Sequence, residues 1–455
     1  MVTLVGIVIC NFNKKEYLIR CIESVLASSY QNFSLYVVDN ASTDGSAELV
    51  RELFGGKLTL IINDENKGGA GGFNQGMREA LRAGHRYILL LDNDVVIDKE
   101  AIKHLVDVLE GDPSIGIVGS AIYKMDVPDQ LQEIGAAIDW DGFKVAPFYQ
   151  NVLQPKHLPY IVECDYVPAC CALIRADAIH QIGLMDEKWF IHWDDIEWCY
   201  RFKKSGYRVV ACSRAKVWHK TGVALHTSTF PHYYLTRNKI RFFAKYAKQE
   251  TLMDLAKMII DEWFKALYFG GAKGVHNVAQ TIYMAYEDAL NNITGRAKQN
   301  RIFEKEVARA DLLEPYLKHY SKVVALAGQN TNSNILNGYM ERKGIECLVL
   351  CINEDEIESA LRKWKKNVDE HTLLIYFSKH ILETPSKVSH VIVVDEFLNV
   401  VDLREEANAI EVMRDLYEQF IAVMSPLIYA RLCQLHHILN ASEEGSNNEA
   451  TVPIS

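Results

Sequence analysis

The sequence predicts an α/β fold: an N-terminal domain built on a largely parallel sheet, a helical region after it, and a small C-terminal α/β domain. Three observations carry this expectation. Apolar strand-like runs alternate with helical patterns from Val5 onward, the same alternation returns from Lys322, and between them the run Tyr87-Ile-Leu-Leu-Leu-Asp-Asn-Asp-Val-Val-Ile97 stops at two carboxylates and resumes. A run of that kind suits a strand buried on both faces. Asp92 and Asp94 would then emerge at its carboxyl end, the edge where open α/β sheets hold ligands. Two carboxylates one residue apart can share one hard cation and leave coordination positions for water and for the oxygens of a diphosphate. The competing reading is a polar turn after a core strand.

At 455 residues the chain is long enough for two or three domains, and 49% hydrophobic with 24% charged residues is ordinary globular composition. A net charge of −10 argues against a chain that coats nucleic acid. The first ten residues lack the basic flank and small-residue cleavage site of a secretory signal, and no segment reaches the roughly eighteen uninterrupted apolar residues of a membrane helix. Ten cysteines show no Cys-x-x-Cys pair, so reduced, mostly buried thiols in a cytoplasmic protein are expected.

Taken in order, Val5 to Cys10 reads as the first strand, and Leu18, Cys21, Ile22, Val25 and Leu26 recur at helical spacing after it. The second strand, Ser34 to Val38, ends in Asp39 and a cluster of turn and capping residues. Such an acid could bind the ribose of a dinucleotide, but residues 10 to 17 contain no glycine, so the Gly-x-Gly-x-x-Gly loop is missing and Asp39 is assigned to a nucleotide base or ribose without it. After a third strand, Leu58 to Ile62, the stretch Asn63 to Gly76 holds five glycines in nine positions. It reads as a loop that approaches a ligand closely and opens a helix at Phe73, against the alternative of a flexible surface loop.

Ile117 to Tyr160 reads as variable loops over a cleft rather than core. Tyr166 to Arg175 restores a strand-like run, and Asp186 to Arg201 opens with a loop and becomes a helix on which Asp194, Glu197 and Arg201 share a face while Asp195 points elsewhere. Trp193, Asp194 and Asp195 sit at the helix start, where acids also serve as caps. Tyr207 to Cys212 and Ala215 to Trp218 read as short closing strands. His219 follows, either a satisfied surface group or a third ligand beside the aspartates for a borderline cation such as manganese.

These stretches together resemble the family 2 glycosyltransferases of GT-A fold, especially their rhamnosyl- and galactofuranosyltransferase-like branch. The resemblance covers roughly residues 3 to 300 and rests on an ordered set: Val8-Ile-Cys-Asn-Phe-Asn13, Val37-Val-Asp-Asn-Ala-Ser-Thr-Asp-Gly-Ser46, Asn66-Lys-Gly-Gly-Ala-Gly-Gly-Phe-Asn-Gln-Gly76, Leu91-Asp-Asn-Asp94, Trp193-Asp-Asp-Ile-Glu197, Val217-Trp-His219 and Tyr233-Tyr-Leu-Thr-Arg-Asn238. It implies an inverting transfer from a nucleoside-diphosphate sugar of the UDP-galactofuranose or dTDP-rhamnose type to a glycan or lipid-linked acceptor in bacterial cell-surface polysaccharide synthesis. The glycine pattern is closer to the galactofuranosyl members.

The resemblance also implies roles. Asp39 would contact the base, Asp92 and Asp94 would bind the donor diphosphate through Mn or Mg, and His219 would complete the metal site. Asn11, Asn13, Asn66, Gly68, Gly71, Asn74 and Asn93 would join Asp39 and Asp92 around the donor. Asp195 would be the general base, with Asp194 beside it in the catalytic pair, and Trp193 and Glu197 would form the acceptor site. The rival function is a catalytically inactive sugar-nucleotide- or carbohydrate-binding scaffold that uses its C-terminal domain for assembly. A sugar nucleotidyltransferase is set aside because its glycine-rich phosphate loop after the first strand is absent.

The expected domains are residues 1–245 for the transferase, 246–318 for a helical region, 319–400 for the small α/β domain, 401–440 for a long amphipathic helix and 441–455 for a disordered tail. Trp263, Phe264, Leu267, Tyr268 and Phe269 make an aromatic stretch, expected to pack on the catalytic domain, with shallow contact at the inner face of the cell membrane as the alternative. The small domain has strand-like runs at Val323–Ala327, Glu346–Cys351, Leu373–Phe377 and Val391–Val394 and no phosphate-binding glycine pattern. The long helix either packs on this domain or pairs subunits into a homo-oligomer.

Overall fold

Parallel strands buried on both faces need helices on both faces, and the first part of the chain supplies them in alternation. A computed structural model describes residues 5–220, 228–306, 311–329 and 331–446. The chain divides into two units: Met1–Leu255 with Thr281–Lys305 and Arg431–Ser455, and Ala256–Gln280 with Glu306–Ala430.

The first unit begins β1 (Val5–Asn11), α1 (Lys15–Leu26), β2 (Phe33–Asp39), α2 (Ser46–Phe54), β3 (Thr59–Ile62), α3 (Gly68–Arg82), β4 (Tyr87–Asp92), β5 (Val95–Ile97) and α4 (Ala101–Gly111). It continues with β6 (Ile115–Lys124), β7 (Leu131–Glu133), β8 (Ala136–Asp139), β9 (Lys144–Pro147), β10 (Ile161–Cys164), β11 (Cys171–Arg175), α5 (Ala176–Ile182), α6 (Asp194–Lys204), β12 (Arg208–His219) and α7 (Phe230–Tyr246). The main sheet runs β10-β12-β6-β11-β4-β1-β2-β3. Strands β3, β2, β1 and β4 are parallel, and β11 enters antiparallel between β4 and β6. Ile7 and Ile9 pack with α1, α2 and α4, whereas Val8 faces α3 together with residues of α5 and α6. The chain leaves β1 toward β2 and returns to its other side at β4, so the carboxyl ends of β1 and β4 form the switch point where such sheets bind ligands.

Three local expectations are corrected. The glycine-rich stretch is no loop before a helix at Phe73: α3 starts at Gly68. A Cβ at Gly68 would lie 2.0 Å from the Phe190 carbonyl oxygen and one at Gly72 2.3 Å from the Cys10 sulfur, so these glycines let the helix press against the 190 loop and the sheet. Ile115–Lys124 is a buried ten-residue strand rather than loop, and the polar, turn-rich character begins only after it. The two short closing strands are one, β12, which carries a bulge between Cys212 and Lys216.

The second unit contains most of α8 (Leu252–Ala272), the start of α9 (Asn277–Leu290), then α10 (Glu314–Leu317), β13 (Lys322–Ala327), α11 (Ser333–Lys343), β14 (Glu346–Cys351), α12 (Ile357–Asn367), β15 (Thr372–Ser378), β16 (Ile392–Asp395), β17 (Val400–Asp402) and the larger part of α13 (Ala409–Ser446). Its sheet runs β14-β13-β15-β16-β17, parallel except for the last strand. The four expected strands are present, and the antiparallel edge β17 is additional. Trp263 and Phe264 of α8 pack on Phe420 and Tyr417 of α13 with ring centroids 5.6 and 5.2 Å apart. Trp263 and Phe264 are therefore packed within this unit, while Leu267 and Tyr268 are exposed and the Phe269 side chain falls outside the described residues.

Residues 441–446, expected in the tail, are helical, and residues 447–455 lie outside the described residues, as does Gly222 after His219. The ten cysteines are all free. Among the described residues no helix is long and apolar enough to cross a membrane.

Candidate active site

The register of the parallel strands sets the geometry. Asn11 stands opposite Asp39 across β1 and β2, and Cys10 stands opposite Asp92 across β1 and β4, so the polar ends of three strands lie side by side. Asn11, fully buried, donates from its amide to Asp39 Oδ1 at 3.1 Å and to the Ser42 hydroxyl at 3.1 Å, and its carbonyl oxygen accepts the Asn93 amide at 2.6 Å. Asp39 Oδ2 accepts the Ser42 backbone N–H at 2.9 Å. Asn13, in the left-handed region at φ 51°, accepts the Thr43 N–H at 2.8 Å. This network fixes the loops after β1, β2 and β4 relative to one another.

Asp92 ends β4, Asp94 lies in the turn before β5, and His219 ends β12, which pairs with β5 opposite Val95. Ligand-type atoms of Asp92, Asp94 and His219 all lie within 4.8 Å of one another. His219 Nε2 is 3.3 Å from Asp94 Oδ1, and its buried Nδ1 has no hydrogen-bond partner among the described residues. Two carboxylates and an imidazole form a donor set that Mn or Mg accepts, so the residues fit the ion implied by the resemblance.

Charge crowds this edge of the sheet. Burial, then the neighbouring Asp94, pushes the Asp92 carboxyl up to about 6. Burial also pushes Asp94 up, but His219 and the Lys14 ammonium outweigh it and hold that carboxyl below its usual range. Burial pulls His219 down, and Asp94 and Asp92 more than reverse it, leaving the imidazole raised.

The acids of α6 meet the same edge. Trp193, in the left-handed region at φ 66°, precedes Asp194 at the helix start, with His192 and Phe190 also left-handed just before it. Four residues with three at positive φ store strain, the kind held at sites that need a particular backbone shape. Asn238 of α7 holds the strained loop, its side-chain amide lying 2.9, 2.9 and 2.8 Å from the carbonyl oxygens of Trp189, Ile191 and His192. Asp195 Oδ2 accepts the Ala169 N–H at 3.1 Å and Oδ1 accepts its neighbour Ile196 N–H at 2.9 Å. Burial raises the Asp195 carboxyl against those two amides and the Tyr166 hydroxyl, and burial followed by the Asp195 charge raises Asp194 further. Asp92 feels the charge of Asp195, and Asp194 that of Asp92, so acids about a hundred positions apart in the chain share one electrostatic neighbourhood.

Other expected site residues stand elsewhere. Asn74 is 1% exposed and its amide is consumed by Met185 and Glu187, which bars it from a donor contact. Glu197 is 1% exposed and bound to Arg201 at 2.9 Å and to the Tyr246 hydroxyl at 2.6 Å, so it braces α6 against α7 rather than facing an acceptor. Trp193 is buried against Phe242 and Phe243, with ring centroids 5.2 and 5.6 Å away. Asn66 accepts the Asn40 amide at 3.1 Å and the Gly68 N–H at 2.8 Å, which shapes the start of α3. Gly71 sits in the first turn of α3, packed against Lys67.

Sequence reasoning passed over four residues that the geometry brings in. Lys14 reaches Asp94, Asn40 ties Asn63, Lys67 and Gly68 together, Asn238 holds the strained loop, and the half-buried Glu133 lies within the electrostatic reach of Asp195 and His219. Asn40 and Asn238 were inside quoted motifs; nothing local marked Lys14 or Glu133.

Residues 6–183 match the family model described as Glycosyl transferase family 2, a stretch that ends before Asp194. The glycosyltransferase GlyG of Streptococcus pneumoniae is 29% identical over 131 residues, 28% of this chain and 42% of that protein. The low-salt glycan biosynthesis hexosyltransferase of Haloferax volcanii is 26% identical over 192 residues, 41% of this chain and 59% of its own length. The chain thus spans roughly half the length of these relatives. Among solved structures, a mannosyltransferase of Pyrobaculum calidifontis in complex with GDP-Man and Mn2+ aligns with TM-score 0.39 and 16% identity, over 53% of this chain and 63% of that one.

Proposed function

We propose, from the match of residues 6–183 to the Glycosyl transferase family 2 model, that the chain is a GT-A glycosyltransferase that moves a hexose from a nucleoside-diphosphate donor to a glycan or lipid-linked acceptor in one inverting displacement. The observation that carries this reading is the convergence of Asp92, Asp94 and His219 within 4.8 Å at the switch point of the sheet.

A sugar hydroxyl is a weak nucleophile at neutral pH. Asp195 takes its proton as the new bond forms, and the two backbone amides on its oxygens hold the carboxylate in one orientation while it does so. Its raised pKa makes it a stronger base than an exposed carboxylate. Asp92, Asp94 and His219 would hold a divalent ion, Mn or Mg, which would supply charge neutralisation at the departing diphosphate. Asp39, Asn11 and Asn13 hold the nucleoside end, and Asn93 aligns the turn that carries the two metal acids. Tyr166 and Glu133, beside Asp195, replace Trp193 and Glu197 on the acceptor side because the latter two are engaged in packing.

Hexose transfer draws support from the Haloferax relative, described as a hexosyltransferase. The donor is of the UDP-galactofuranose or dTDP-rhamnose type, the product a cell-surface polysaccharide, and a lipid-linked acceptor puts the reaction at the inner face of the membrane. A thermal-shift panel of UDP, dTDP, GDP and their sugars, each with Mn or Mg, tests the reading, because a ligand that binds only the folded protein raises its melting temperature. A metal-dependent shift followed by sugar-nucleotide turnover supports it. No shift from any nucleotide with either metal would sink it.

A further inference from the structure

We infer that Lys14 is the built-in counter-cation of the metal site: its ammonium neutralises the Asp92 and Asp94 pair before a divalent ion binds, competes with that ion, and turns to the donor diphosphate once displaced. The inference rests on the reading of Asp92, Asp94 and His219 as a divalent-cation site, and it adds a positioning residue from the loop after β1.

The geometry is direct. Lys14 Nζ lies 2.5 Å from Asp94 Oδ2, across eighty positions of sequence. The Asp94 side chain is 5% exposed and that of Lys14 36%, so the carboxylate is fixed inside while the amine reaches in from the surface. The other Asp94 oxygen faces His219 Nε2, which leaves both oxygens engaged. An ion centred among Asp92, Asp94 and His219 would meet the Lys14 ammonium already seated on one Asp94 oxygen.

Buried carboxylates require a counter-charge, and without an ion the ammonium supplies it. A lysine suits that task because its flexible four-carbon stem lets the charge leave without moving the backbone. Its single charge repels an incoming cation strongly at this range. After displacement the ammonium remains beside Asn13, at the edge the donor phosphates approach, where it makes charge-assisted hydrogen bonds to their oxygens. Lys14 would thus oppose the metal alone and favour the metal together with diphosphate, an order that keeps the site from holding a bare ion.

The test uses the full chain as wild type, Lys14→Met and Lys14→Arg, titrated calorimetrically at pH 7.5 with MnCl2 alone and then with UDP and with dTDP at saturating Mn. Lys14→Met is expected to bind Mn about tenfold more tightly than wild type, from removal of one nearby positive charge. The same variant is expected to bind the better of the two nucleotides about tenfold more weakly, through loss of a charge-assisted contact. Lys14→Arg stays near wild type in both, and the opposite signs of the two effects are not what general destabilisation produces. If Mn binds wild type and Lys14→Met equally, the inference fails while the metal-site reading stands. If Mn binds none of the three proteins, both fail. Unchanged nucleotide affinity in Lys14→Met overturns the diphosphate contact.

Discussion

The side-chain amide of Asn238 lies 2.8 Å from the carbonyl oxygen of His192, joining the core of α7 to the residue before the strained Trp193. Trp193 and His192 both sit at positive φ, a conformation that costs of order 1–3 kcal/mol per residue and persists only where surrounding contacts hold it. Asn238→Ala therefore releases the loop that starts α6. The expected outcome is a tenfold or larger loss of kcat, of the size a misplaced catalytic group produces, with nucleotide affinity kept within about threefold. Steady-state kinetics beside nucleotide calorimetry checks the split; equal losses in both would show that Asn238 supports the fold without aiming Asp195.

Asp195→Asn separates chemistry from binding. The amide keeps the shape of the carboxylate but cannot accept the acceptor proton, so transfer should fall by about a hundredfold or more. Donor affinity should hold, since Asp195 contacts the Ala169 and Ile196 amides rather than the donor-side network around Asn11. An Asp195→Asn protein with wild-type transfer would remove Asp195 from the role of base.

The legible parts of the molecule were those written locally. Tyr87 to Leu91 are all fully buried in β4, and an unbroken apolar run announces such a strand. The Asp92, Asp94 and His219 motifs, far apart in the chain, bring ligand-type atoms within 4.8 Å of one another. What escaped was written across the chain. Lys14 acquires its place through a partner eighty positions away, and Asn74 loses its expected place because Met185 and Glu187, more than a hundred positions on, consume its amide. The glycines of α3 were misread as a loop because glycine disfavours helix by about 1 kcal/mol, a preference that close packing against Phe190 and Cys10 overrides.

Glu197 ties pH to stability. Burial pushes its carboxyl up, but Arg201 and Lys245, with the Tyr246 hydroxyl, outweigh that and hold it below the usual 4.5. A carboxyl depressed by folding contributes stability that is fully present above its unfolded value and is lost as pH falls through the folded one. Glu197→Gln removes the anion that Arg201 and Lys245 share and should cost about 3 kcal/mol at pH 7. The gap between wild type and variant should then narrow on acidification below about pH 4.5, as urea unfolding at a series of pH values would show. A gap constant over that range would mean that lost packing, not charge, sets the cost.

Gly72 and Cys10 offer a reciprocal test of why α3 is glycine-rich. A Cβ at Gly72 would stand 2.3 Å from the Cys10 sulfur and 3.2 Å from the Asn40 amide nitrogen, closer than atoms can approach in the first case. Gly72→Ala gains helix propensity of about 1 kcal/mol, yet it must displace α3 from β1, and such overpacking costs typically 1–3 kcal/mol. The net effect is a loss of stability. It should be accompanied by weaker nucleotide binding, because Cys10 is the immediate neighbour of Asn11 and Asn40 orients the turn after Asn63. Cys10→Ala removes the sulfur, so in the double variant the new methyl group enters the vacated space and the penalty of Gly72→Ala should shrink. A double-mutant cycle in denaturant measures that coupling. Additive effects would place the strain at Asn40 instead and predict that Asn40, not Cys10, sets how near α3 can come to the sheet.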